Sequence, residues 1–184
     1  MKLLGICGSL RKGSYNAMAL RAACELLPAG TTMAIADLRG IPMYDEDLRA
    51  HGEPAAVTQL KAQIREADAV LIATPEYNFS IPGVLKNALD WASRPPEPPF
   101  EDKVVALMGA SAGLAGTARV QYDLRKVMVF LNAHVVNKPE VFIREAPSKF
   151  DASGALVDEP TRKFIAELVL STARLGQRLH PRPT

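Results

Sequence analysis

The sequence predicts a three-layer α/β sandwich on a five-stranded parallel sheet, and three observations carry that reading. Five short runs are apolar throughout rather than alternating, which marks strands covered on both faces. Stretches with a 3.6-residue apolar period separate them, so strands and helices alternate. At 184 residues, 48% of them hydrophobic, the chain is long enough for one compact domain with a substantial core.

The first strand is Leu3–Cys7, and the helix after it carries its apolar stripe on Leu20, Ala23 and Leu27. Met33–Ala36 is the second strand, followed by a helix on Val57, Leu60, Ile64 and Ala67. Ala69–Ala73 is the third, with a helix on Leu85, Ala88, Leu89 and Ala92 that the stiff Pro95-Pro96-Glu97-Pro98-Pro99 loop closes. Val104–Ala110 is the fourth, with a helix on Val120, Leu124, Val127, Met128 and Leu131. The fifth runs through His134–Val136 and continues in Val141–Ile143; its helix uses Phe164, Ile165, Leu168, Val169, Thr172 and Leu175. Residues 180–184 read as a flexible tail. Five such units, joined by right-handed crossovers, match the flavodoxin-like strand order 2-1-3-4-5 in a single domain spanning 1–184.

Charge and composition narrow the partners. The 22 Lys and Arg are spread along the chain and leave a net charge of only +2, which gives no electrostatic case for a nucleic acid. No run nears the roughly 18 apolar residues of a membrane span, and the start of the chain lacks a signal-peptide design, so a cytoplasmic protein is expected. Cys7 and Cys24 form no C-x-x-C pair and read as buried thiols. His51, His134 and His180 are scattered, so neither a metal site nor a histidine triad is expected.

In this topology ligands sit at the C-terminal ends of the strands, at the switch point between strands one and three. Three loops meet there. Gly8-Ser9-Leu10-Arg11-Lys12-Gly13-Ser14-Tyr15-Asn16 combines two glycines, hydroxyl and amide donors on Ser9, Ser14 and Asn16, and the Arg11 fork beside a helix start, a composition that cradles a phosphate. It is no nucleoside triphosphatase loop, because Ser14 and Tyr15 stand where Lys and Ser/Thr are required. Glycines at 5, 8 and 13 do not fit G-x-G-x-x-G either. A monophosphate suits it; the competing reading is an ordinary turn with Ser14 as helix cap. The second loop, Thr74–Gly83, holds two aromatics, an amide and an acid between prolines, and either seats a planar heterocycle or covers the sheet end. The third, Ser111–Gly116, is small and glycine-spaced, so its main-chain N–H groups can face a ring edge or form an unliganded turn.

On the stretches G-S-L-R-K-G-S-Y-N at 8–16, P-E-Y-N-F-S-I-P-G-V-L-K-N-A-L-D-W at 75–91, A-R-V-Q-Y-D-L-R-K-V-M-V-F-L-N-A at 118–133 and N-K-P-E at 137–140, the chain resembles the NAD(P)H-dependent FMN reductases, including quinone and chromate reductases and azoreductases. The resemblance implies FMN as cofactor and NADPH or NADH as co-substrate. It implies that Ser9, Arg11, Ser14 and Asn16 hold the FMN phosphate with Tyr15 beside them, that Pro75, Glu76, Tyr77, Asn78 and Phe79 line the isoalloxazine, and that Ser111 and Gly113 face its other edge. No side chain is needed as acid, base or nucleophile, because the flavin carries the chemistry. The acceptor would be a small molecule such as a quinone, free flavin, azo compound or oxidised metal anion. The resemblance also implies a homodimer or homotetramer through the third and fourth helices, whose Leu85, Leu89, Trp91, Val127, Met128 and Phe130 outnumber one core-facing stripe. Two alternatives share the fold. An FMN electron carrier would normally be strongly acidic, against a pI of about 8.6 here. A receiver domain needs an aspartate where the chain has Ala73-Thr74-Pro75.

Overall fold

The computed structural model describes residues 1–180. Its elements are β1 (Lys2–Cys7), α1 (Tyr15–Glu25), β2 (Thr32–Ala36), α2 (Glu46–Ala50), α3 (Ala55–Glu66), β3 (Ala69–Ala73), α4 (Gly83–Ala92), β4 (Val104–Ala110), α5 (Ala118–Phe130), β5 (His134–Val135), β6 (Val141–Ile143) and α6 (Glu159–Leu179). The sheet is parallel, in the order β2-β1-β3-β4-β5, with β6 also on β4. The fifth strand is therefore two pieces in line on β4. Between them stands Pro139, which has no N–H to give to a ladder.

Successive strand residues face opposite layers, as the two-residue period of a strand requires. Leu71, Ala106 and Met108 pack with α1 and α6; Val70, Ile72, Val105 and Leu107 pack with α3, α4 and α5. β3 and β4 are buried at every position, as their continuous apolar character predicts. β2 departs from that expectation: it is an edge strand, and only Ala36 is fully buried while Ile35 is 44% exposed. α2 has no buried residue and so left no apolar period to read. It rests on the Asp45 carboxylate, which accepts from the Asp47 N–H.

The apolar residues expected to exceed the needs of the core on α4 and α5 are mostly used within the protomer. Leu85, Leu89, Trp91 and Met128 are fully buried. The Trp91 indole N–H donates to Pro42 O at 2.8 Å, and Asn87 bridges the same segment by donating to Pro42 O and accepting from the Tyr44 N–H. These bonds pin the loop after β2 onto α4. Of the six, Phe130 stays open at 75% exposure, and its neighbours Val129 and Tyr122 are exposed with it. Cys7 and Cys24 are both half-buried rather than enclosed. Among the described residues no helix is long and apolar enough to cross a membrane, and no His, Cys, Asp and Glu group could hold a metal ion. His180 ends α6, its ring nitrogen at 3.1 Å from Asp102 O; residues 181–184 of the expected tail lie outside the described residues.

Candidate active site

The three loops converge at the C-terminal ends of β1, β3 and β4, around two adjoining clefts. The inner cleft, of about 200 Å³, is lined by Ser9, Arg11, Ser14, Tyr15, Asn16, Pro75, Glu76, Tyr77, Ala110, Ser111 and Ala112. The outer one, of about 590 Å³, is lined by Glu76, Asn78, Phe79, Ser111, Gly113, Leu114, Ala115, Gly116 and Arg119. Every residue expected at the site thus borders one cleft or the other. Other hollows lie elsewhere on the surface, such as one between Arg65, Asp102 and Gln177 and one between Arg125, His134 and Arg174, and neither meets the strand ends where this topology gathers its loops.

The first loop leaves β1 at Gly8, whose N–H still donates to Ala73 O at 2.8 Å. A Cβ at Gly8 would lie 2.5 Å from the Thr74 hydroxyl, so only glycine lets the first two loops touch. Ser14 caps α1: its hydroxyl accepts from the Ala17 N–H, the competing reading of that residue. The cap leaves the N–H groups of Tyr15 and Asn16, in the first turn, with no partner among the described residues. The Arg11 guanidinium stands 5.5 Å from the centre of the Tyr15 ring, and Ser9 accepts from the Arg11 N–H. Asn16 corrects the expectation of a side-chain amide aimed at the anion. Its carboxamide is buried, donating to Ala110 O at 3.0 Å and accepting from Ala110 N–H at 2.8 Å. What Asn16 offers the cleft is its main-chain N–H. Beneath the loop, burial pushes the Cys7 thiol up, and its S–H points to Ser9 O.

The second loop is a two-residue turn in which Tyr77 and Ser80 exchange both main-chain hydrogen bonds. Asn78 and Phe79 take φ of 50° and 66°, the left-handed region that a turn of this hand needs. Asn tolerates that backbone and Phe does so reluctantly. Glu76 borders both clefts, and both oxygens of its carboxylate are engaged by α5. One oxygen accepts from the N–H groups of Arg119 and Val120 at the start of α5, and the other from the Arg119 guanidinium at 2.8 Å. Ser80 donates to Asp123, whose carboxyl Lys126 and that same hydroxyl hold below its ordinary range.

The third loop is tied to the end of β6 and the chain after it: Ser111 N–H donates to Ile143 O, and Ala146 N–H donates to Ser111 O. The Gly113 N–H donates to the Ser111 hydroxyl at 3.1 Å, so it is turned inward rather than free for a ring edge. Sequence reasoning missed Arg119, although Ala118-Arg119-Val120-Gln121 opens a stretch already singled out; nothing local says that its guanidinium crosses to the second loop. The donors here suit a phosphate monoester, since α1 offers open N–H groups beside Arg11 and Ser9, and the one acid bordering the inner cleft is already paired.

Residues 1–148 match the family model for NADPH-dependent FMN reductase. An NAD(P)H-dependent FMN reductase of Pseudomonas aeruginosa is 57% identical over 167 residues, covering 91% of this chain and 90% of that protein. A quinone reductase of Escherichia coli strain K12 is 44% identical, covering 97% of each. Among solved structures, FerB, a flavoenzyme NAD(P)H:(acceptor) oxidoreductase from Paracoccus denitrificans, superposes with a TM-score of 0.88 at 32% identity, over 96% of this chain and 97% of that one. On its sheet order, its crevice and these likenesses, the chain belongs to the NADPH-dependent FMN reductase family, an oxidoreductase that uses FMN and NAD(P)H.

Proposed function

We propose that this chain uses NAD(P)H to reduce quinones and that other small oxidants, namely free flavin, azo compounds and chromate-like anions, can take their place. The observation that carries the reading is the meeting of an open helix start, a rigid turn bearing Tyr77 and Phe79, and the Ser111–Gly116 loop on one crevice. The quinone assignment draws on the quinone reductase likeness. Bound FMN would supply the hydride chemistry, from nicotinamide to flavin and on to the acceptor. The chain's own part is to bind and orient. The N–H groups of Tyr15 and Asn16, with Ser9, Ser14 and Arg11, hold the phosphate at the positive end of α1. The Pro75–Phe79 segment and the Ser111–Gly113 corner flank the ring. Leu114 and Phe79, both largely exposed, give the outer cleft an apolar wall against which a planar substrate can lie. A second copy of the chain covers the exposed Tyr122, Val129 and Phe130 of α5, giving a homodimer or, by a further pairing, a homotetramer.

Steady-state assays with NADH and NADPH against quinones, free FMN, an azo dye and chromate test the reading. Parallel double-reciprocal lines are expected, because one cleft must serve nicotinamide and acceptor in turn. A protein that binds FMN but fails to oxidise either nicotinamide would instead be an electron carrier. Light scattering that gives a monomer at micromolar concentration would remove the second copy.

A further inference from the structure

We infer that Glu76 is a positioning residue: it binds neither flavin nor substrate, but clasps the ring-side turn to the start of α5 and so holds Asn78 and Phe79 in their left-handed backbone. The inference rests on FMN occupying this crevice. Its ground is the pairing of the carboxylate. The Glu76 side chain is only 7% exposed, and both oxygens are engaged, one by the N–H groups of Arg119 and Val120 at 3.0 and 3.2 Å, the other by the Arg119 guanidinium at 2.8 Å. α5 needs this acid from elsewhere. Its cap residue, Thr117, makes no side-chain capping bond, and its first turn holds no acidic residue.

The clasp extends to the turn itself. The guanidinium that Glu76 holds lies 4.1 Å from the centre of the Phe79 ring, within reach of a cation–π contact. On the far side of the turn, Ser80 donates to Asp123, one turn further along the same helix. Two consecutive non-glycine residues at φ of 50° and 66° persist only where the surroundings over-determine them. Here the surroundings are α5. Removing the carboxylate would leave two N–H groups and a guanidinium without their acceptor and release Phe79, a residue 68% exposed even with that contact in place.

The experiment compares wild type, Glu76→Ala, Glu76→Gln and Arg119→Met, first as apoproteins and then loaded with FMN. Amide hydrogen exchange on the apoproteins should show Arg119, Val120 and Ser80 exchanging at least tenfold faster in Glu76→Ala, and Ser80 alone faster in Arg119→Met, which keeps the cap. Fluorescence titration should find FMN bound about tenfold more weakly by Glu76→Ala, the size of a lost helix cap. Glu76→Gln, which keeps an oxygen for the two N–H groups, should recover at least half of that loss on a logarithmic scale. In the loaded enzymes kcat should fall in step with the exchange rate at Ser80, while KM for nicotinamide stays within about twofold. Two results would overturn the inference: unchanged exchange at Ser80 in Glu76→Ala, or a shifted flavin absorption band in that variant with the turn still protected, which would make Glu76 a direct contact. Should Glu76→Ala not fold, Arg119→Met with Ser80 exchange at the wild-type rate would overturn it equally. Failure of the wild-type apoprotein to bind FMN would instead sink the reading of the crevice itself.

Discussion

Two helices begin in the same crevice and finish their first turns in opposite ways. At the start of α1, Ser14 takes one N–H and those of Tyr15 and Asn16 stay open to the inner cleft. At the start of α5, a carboxylate from another loop accepts from the second and third N–H groups, those of Arg119 and Val120. Both ends carry the same partial positive charge. The difference is whether the chain brings its own anion within reach: Glu76 turns α5 into a joint, whereas Gly8–Asn16 holds no acid, which leaves α1 free for the ligand proposed above. α6 is a second closed case, its first turn held by Asp158, which accepts from the Thr161 N–H and hydroxyl and pairs with Lys149 at 2.7 Å.

The harshest way to break the contrast is to damage the platform beneath both ends. A Cβ at Gly109 would fall 2.3 Å from both the Thr117 hydroxyl and Thr74 O, so Gly109→Ala should lower stability by about 3 kcal/mol or more in denaturant unfolding. Gly113→Ala, where the nearest atom would be at 3.7 Å, serves as the control and should change little. Closing the open end tests the comparison directly. Ser14→Asp keeps a good cap while giving α1 its own carboxylate; FMN affinity should drop about a hundredfold or more, with the apoprotein as stable as wild type or more so. Unchanged flavin titration would show that the anion sits elsewhere. Arg11→Ala removes a charge-assisted bond of roughly 1.5–3 kcal/mol and should weaken FMN about ten- to a hundredfold in the same titration. The smallest effect belongs to the closed end of α6. Lys149 first, and Thr161 second, hold the Asp158 carboxyl below its ordinary range. Its contribution, about 1 kcal/mol, is therefore present above the unfolded carboxylate range and lost as pH falls through the lowered value. Thermal melts of Asp158→Asn and wild type should differ at neutral pH and converge in acid.

The fold was legible because continuous burial leaves a continuous signal: Ala69–Ala73 and Val104–Ala110 are strands to the residue. β2 was misread in burial since an edge strand keeps an apolar sequence while one side meets water. Glu46–Ala50 buries nothing and so cannot be seen as a period. At the site, the residues bordering the clefts were readable and their partners were not. Asn16 looks like a donor for any anion until Ala110, 94 positions on, takes both ends of its amide. Glu76 borders both clefts as its place in the loop suggests, but nothing local tells that α5 takes up its carboxylate. Apolar Trp91 and Met128 look available to a second subunit until Pro42, Tyr44 and the sheet cover them. In each case the deciding contact spans a distance in sequence that no local pattern records.

The Asn16 bond has a consequence for how the protein is made. The amide that fixes the start of α1 closes only on Ala110, and the same corner carries Ser111 into the inner cleft. A ribosome that has released the first hundred residues has delivered the whole first loop and the Tyr77–Ser80 turn itself, yet neither β4's last residue nor the helix that clasps the turn. The inner cleft therefore lacks its far wall while the chain is still being threaded, and at the proposed site flavin loading would follow synthesis of the fourth strand instead of guiding the fold from its first one.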